Sequence, residues 1–441
     1  LETEEALLRD AITRAAPAFA AWHAPSIPSL DELRQELAPD QAILSFQVAL
    51  LETLDATRAF AGGSWVIAIT RDEARAFVLP DERVLRERVA VFLGLCRRRD
   101  GSEAAAGTRL FEDLLAAPLN AMGPSVRRLV LVPDGPLHAL PFAALRPGHD
   151  ADPLGVTHEI ARASSVTHWM RWRARPGDGA DGVLAFADPA LPGGGGPDPV
   201  RAARPWIEGL RLGSLPHARI EARELVRVLG GESRLVSGPE ASERLLKEVE
   251  LARYSILHLA THAIVDEEHP DRSAVVLAPG GEEEDGFLQL REIVKLDARD
   301  TLVILSSCRS ASGTVVRGGG VVGLARAFFQ AGARGVVGNL WPLRDDEAEP
   351  LVRELGRRLA EGRSLSAALS EARAARIEAG APAAAWAGLV LLGDGDFAPV
   401  KPRKGPMHDL FLPLAIPLAV LFLAGLAAVS YTHLRAHETN D

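Results

Sequence analysis

The chain has 441 residues, enough for two or three domains, and its 47% hydrophobic and 24% charged content is that of a globular protein able to bury a core. A net charge of −10 without a long lysine or arginine block argues against nucleic acid as a direct partner, and short runs such as Arg97–Arg99 read as a solvated helix face. Two cysteines, Cys96 and Cys308, are too few for a secreted disulfide framework and indicate free thiols in a reducing compartment.

The sequence opens on Leu1 rather than Met, so the natural chain is expected to extend upstream. Residues 1–35 read as a helical segment, in which Leu7, Leu8, Ile12, Ala15 and Phe19 keep helical spacing before Pro25 and Pro28. It could close an upstream repeat array, though one helix does not establish a repeat. Ser29 followed by Glu32 is a capping-box signature for the next helix. Strands are predicted over Ile43–Val48, Trp65–Thr70 and Ala74–Leu79, then helices around Val84–Cys96 and Thr108–Ala121, with Cys96 a buried core thiol.

From Arg128 the rhythm becomes strand, loop, helix. Arg128–Pro133 is a short apolar strand closed by the turn Asp134-Gly135-Pro136, and Gly182–Ala187 is the next strand, followed by a Gly/Pro-rich loop over Asp188–Asp198. Tyr254–His262, Thr301–Cys308 and Arg334–Trp341 are near-continuous apolar runs, as expected of strands covered on both faces. Helical patterns at Glu292–Leu296, Val321–Ala331 and Ala348–Ala360 alternate with them. The expected fold class is α/β, a doubly wound, mostly parallel sheet flanked by helices.

The end of the chain reads differently. Residues 401–409 form a basic linker, and Leu410–Ala428 carries no charge. As a helix that run would be roughly 28 Å long, close to a bilayer core of about 30 Å. A C-terminal transmembrane helix over 410–428 is therefore expected. Lys401, Arg403 and Lys404 would keep the preceding domain on the cytoplasmic face of the cell membrane. Residues 429–441 read as a sequencing adapter translated in frame and are left out of the biology.

His262 and Cys308 each end an apolar strand. Ligands of open α/β sheets bind outside the carboxyl ends of the strands, so two such side chains can share one site. A thiol next to an imidazole becomes a nucleophile suited to acyl transfer. Zinc is the weaker reading of His258 and His262, because His258-Leu-Ala-Thr-His262 lacks the glutamate of the helical metalloprotease motif and sits on a strand. His258 reads instead as a hydrogen-bonded core residue, and Asp134 and His138 as turn and packing residues.

Five segments occur in order: Val132-Pro-Asp-Gly-Pro-Leu-His-Ala-Leu-Pro-Phe-Ala-Ala-Leu145, His258–Ala263, Leu305-Ser-Ser-Cys308-Arg-Ser310, Gly318–Arg334 and Gly338-Asn-Leu-Trp-Pro-Leu-Arg-Asp345. Over roughly Ile43–Phe397 the chain resembles the CHAT family, caspase-like domains associated with tetratricopeptide repeats and related to caspases and separases.

The resemblance implies a caspase-like cysteine endopeptidase with His262 as base and Cys308 as nucleophile. The backbone N–H groups of Ala263 and Cys308 would hold the oxyanion. Ala263 stands where caspases usually have glycine, a mild departure. It further implies a degenerate caspase-like subdomain over 36–175 and a catalytic one over 176–400. Gly318, Gly319 and Gly320 would border the substrate. Asp345 and Asp346, with Asp266 behind them, would pair with a basic side chain before the cut, although the two aspartates could equally cap the helix that follows. The expected partners are a protein or peptide substrate, an upstream repeat or regulatory segment and a prokaryotic membrane, with no cofactor and no metal. The alternative function is a non-catalytic scaffold or signalling module that retains the fold.

Overall fold

A computed structural model describes residues 28–49, 63–173, 180–191, 212–266, 268–281, 284–306, 314–316 and 320–402. Up to Val400 they belong to one compact unit. Its strands in chain order are β1 (Gln41–Gln47), β2 (Ser64–Ile69), β3 (Ala74–Leu79), β4 (Arg128–Val132), β5 (Glu159–Arg162), β6 (Val183–Pro189), β7 (Arg234–Gly238) and β8 (Ile256–Ala260). There follow β9 (Ala263–Ile264), β10 (Ala274–Val276), β11 (Phe287–Gln289), β12 (Leu302–Leu305), β13 (Thr314–Val316), β14 (Gly320–Val322), β15 (Gly335–Asn339) and β16 (Leu389–Gly393).

The main sheet has the order β3-β2-β1-β4-β5-β16-β15-β12-β8-β6-β7. Its ladders are parallel except β3–β2, β2–β1 and β16–β15, so the expected mostly parallel sheet is present. Tracing direction through these ladders, β1, β4, β5 and β16 run one way, whereas β15, β12, β8, β6 and β7 run the other. The reversal falls between β16 and β15.

Period-two alternation along the strands splits the core into two layers. Ala42, Leu44 and Phe46 of β1 and Leu302 and Ile304 of β12 face one layer, while Ile43, Val303 and Leu305 face the other. Helices cover both faces. The first layer takes α1 (Glu82–Arg98), α2 (Pro216–Leu229), α3 (Asp345–Ala360) and α4 (Leu365–Glu378), which contribute Leu85, Ala222, Leu355 and Leu369. The second takes Trp169 and Trp172 of the helix Val166–Arg173 and Phe328 of the helix Leu324–Gln330. At the start of the described chain Ser29 caps the helix Leu30–Glu36 through the expected box with Glu32.

Some sequence expectations need correction. The expected transmembrane helix is not part of this fold: no helix among the described residues is long and apolar enough to cross a membrane. The helices α1, α2 and α3 are amphipathic, as in α3, where Leu351 and Leu355 are buried while Arg353 and Arg357 form ion pairs along the outer face. Leu410–Ala428, the adapter-like 429–441 and the helical reading of 1–27 lie outside the described residues. Asp188 and Pro189 belong to β6 rather than to the loop expected to start there.

Gly393 ends β16 at φ 114°, and a Cβ on it would stand 2.5 Å from the Arg334 carbonyl oxygen. Replacing Gly393 with alanine should therefore lower unfolding stability by about 2–4 kcal/mol, from left-handed strain and a backbone clash. Urea denaturation followed by circular dichroism measures this loss.

Candidate functional site

Because β6, β8, β12 and β15 run parallel, their carboxyl ends meet at one edge of the sheet. Leu259 of β8 stands opposite Leu305 of β12, and the Ser306 N–H donates to the Leu259 carbonyl at 3.1 Å, extending the ladder by one bond. The strands that lead to His262 and Cys308 are thus neighbours. Cys308, Gly318 and Gly319 lie outside the described residues, and Gly320 opens β14, which pairs with β13.

At His262 the chain leaves the main sheet and enters β9 of a small antiparallel sheet. The Val276 N–H donates to the His262 carbonyl at 2.9 Å, which makes His262 and Val276 a hydrogen-bonded pair. Ala263 and Val275 form the next pair, of the non-hydrogen-bonded kind. That alternation turns the Ala263 N–H away from β10, toward the outer side of β9.

The His262 ring is half-buried, with Nε2 2.7 Å from the Gly213 carbonyl oxygen. A carbonyl only accepts, so Nε2 carries the proton and the neutral ring keeps its lone pair on Nδ1. The two residues after Gly213 are held in turn by Asp188 at the carboxyl end of β6. The buried Asp188 carboxylate accepts from the Leu215 N–H at 2.8 Å and from the Ser214 hydroxyl, and it pairs with Arg219 Nε at 2.7 Å. Asp188 adopts φ 42°, a left-handed conformation that Asp tolerates better than most residues.

Below this edge lies a buried polar chain. His258 is fully buried, its Nε2 2.7 Å from Glu221 Oε1 and 3.1 Å from Ser306 Oγ. The carboxylate accepts, so Nε2 carries its proton too. The expectation of a hydrogen-bonded core histidine describes His258. Glu221, Asp188 and Ser306 were not singled out in the sequence; a glutamate on the apolar stripe of α2 was the only signal for the first.

The remaining candidates are more dispersed. Asp345 and Asp346 open α3 on the segment after β15, at the same sheet edge. Asp346 is exposed, and both its oxygens accept from Arg344, whose guanidinium holds its carboxyl below the usual range. Asp266 accepts from the Glu268 and His269 N–H groups, ordering its own loop. Trp341 is buried and donates to the Ala384 carbonyl, as a packing residue would. Asp134 and His138 follow β4, whose carboxyl end lies at the opposite sheet edge, where Asp134 accepts from the Val48 N–H and burial pushes His138 down to about 4. Glu243, Glu284 and Glu292 come close enough together to hold a metal, but the Lys247 ammonium sits among them at 2.5–2.9 Å.

Two measurements test this description. Glu221→Ala strands a buried imidazole and should cost about 2 kcal/mol in a urea titration. Cys96 is fully buried, and burial, with Glu103 adding to it, pushes its thiol up to about 12. Because the folded thiol then stays protonated at pH 8, Cys96 should not react with Ellman's reagent in a Cys308→Ala protein until denaturant is added.

A model of the CHAT domain matches residues 104–394. Tetratricopeptide repeat protein 28 of Homo sapiens is 26% identical over 345 residues, which cover 67% of this chain and 13% of that protein. The Mus musculus protein of the same name is 26% identical over 350 residues, covering 67% and 14%. The chain therefore spans only about one seventh of the curated relatives it matches. Among solved structures it is similar to a chain of the Saccharomyces cerevisiae separase–securin complex, with TM-score 0.38, 16% identity and coverage of 64% and 18%. It is also similar to the pro- and mature-domain complex of Porphyromonas gingivalis RgpB, with TM-score 0.40, 11% identity and coverage of 68% and 69%. With its model matched over more than half of the sequence, this chain belongs to the CHAT domain family.

Proposed function

We propose that this chain is a cysteine endopeptidase in which His262 and Cys308 act as a dyad. The observation that carries the reading is the parallel pairing of β8 with β12, which brings the segments leading to both residues to one sheet edge. The motif series and family membership support it. In the proposed reaction His262 Nδ1 takes the Cys308 proton, and the sulfur attacks the scissile carbonyl carbon. The oxyanion is held by the N–H groups of Ala263 and Cys308. As the tetrahedral species collapses, the leaving amine takes the proton from His262, and a thioester remains. Water, deprotonated by the same imidazole, then hydrolyses that thioester and restores the thiol.

The halves 36–175 and 176–400 are proposed as a degenerate and a catalytic subdomain; the grouping of β1–β5 on one side of the sheet supports this. Gly318–Gly320 would border the substrate. Asp345 and Asp346 would supply the charge for a basic side chain before the cut, which at Asp346 requires a substrate guanidinium to displace Arg344.

On fluorogenic peptides ending in arginine, Cys308→Ala should reduce turnover to background and His262→Ala should reduce kcat/KM by at least about 10³-fold, with unchanged circular dichroism. Cleavage that persists in purified Cys308→Ala protein overturns the dyad. A folded wild-type chain that neither cleaves nor binds an electrophilic peptide would instead be a non-catalytic module.

A further inference from the structure

Where β5 meets β16, a strand of the first half of the sequence beside one of the second, two guanidinium groups are buried. Arg162 ends β5 and is 5% exposed; Arg373 lies on α4 and is 2% exposed. β5 and β16 are joined by a single register pair, Arg162 opposite Leu392. Neither arginine forms an ion pair with a carboxylate among the described residues. Arg162 donates to the His138 and Leu140 carbonyl oxygens and lies 5.5 Å from the centre of the Phe142 ring. Among the described residues Arg373 has one bond, from Nη2 to the Leu389 carbonyl at 2.7 Å, and its buried Nε and Nη1 have no hydrogen-bond partner there.

Two like charges, both taken out of water and with no opposite charge beside them, are an expensive arrangement. Burial pushes each guanidinium down to about 9, and Arg162 is lowered further by Arg373. Arg162 also helps to keep His138 neutral, after burial itself. The local field is therefore positive and uncompensated. Both arginines line one small cavity with Phe142, Ile160, Val390 and Leu391. It holds about 10 Å³, room for about one water-sized sphere.

We propose that this cavity binds a single small anion of the halide class, chloride in solution, between Arg162 and Arg373. The anion would accept from the free donors of Arg373 and offset both charges. Chloride is larger than a water, so the lining side chains would give slightly to take it, whereas a tetrahedral phosphate or sulfate would need a far larger displacement. The site lies where β5 meets β16 and α4 packs over both, so an occupied site would tie together strands from the two halves of the sequence. This does not depend on the peptidase reading, because no residue of the proposed dyad takes part.

The test uses the whole chain. Its melting temperature is measured as sodium chloride replaces sodium gluconate at constant ionic strength, and crystals grown in sodium bromide are examined for anomalous scattering. Saturable stabilisation of a few degrees is expected, together with one bromide peak between the two guanidinium groups. Arg373→Met should remove the chloride dependence. If that variant does not fold, the bromide measurement on the wild-type chain still decides. A flat chloride response, or crystals in which a water stands between the arginines and bromide never does, overturns the proposal.

Discussion

The reversal of strand direction between β16 and β15 is the constraint on which the arrangement depends. On one side β15, β12, β8, β6 and β7 deliver their carboxyl ends to one edge. On the other, β1, β4, β5 and β16 deliver theirs to the opposite edge. The reversal places the carboxyl ends of β6, β8, β12 and β15 at the edge that carries His262 and leaves the Asp134–His138 segment at the far end. The strand at the boundary carries matching features: Gly393, with no room for a side chain, and one face covered by α4 with its buried Arg373.

His262 is held from outside its own strand. Asp188 fixes Ser214 and Leu215, and the Gly213 carbonyl beside them accepts from Nε2. A histidine with one ring nitrogen committed to a carbonyl presents the other as its basic atom. The Glu221–His258–Ser306 chain does related work one layer down, tying α2 to the ends of β8 and β12. Such a chain is stabilising while each member has its partner and costly once one is removed. Side chains from neighbouring elements thus hold the described strand ends in place.

Much of this was legible in the sequence. Near-continuous apolar runs located β4, β8, β12 and β15, and β3 matches its expected bounds. The capping box at Ser29 needed only local chemistry. Asp188 and Glu221 were not legible, because their roles come from partners brought close by strand order rather than by spacing. Asp188 also follows a strand and precedes a Gly/Pro-rich run, so it reads as a loop residue. Asp346 illustrates the converse. Its place after β15 could be read, but its engagement with Arg344 depends on how the helix begins. The transmembrane expectation came from composition at the end of the chain, whereas the helices α1, α2 and α3 of the described fold are amphipathic.

The most direct test of the account is to find which thiol an active-site-directed electrophile modifies. The intact protein is treated with a peptidyl acyloxymethyl ketone ending in arginine, digested, and the adduct located by mass spectrometry. The account predicts one adduct, on Cys308, lost in His262→Ala, with Cys96 unmodified. Labelling of Cys96 in the folded protein, or equal labelling of Cys308 with and without His262, would contradict it.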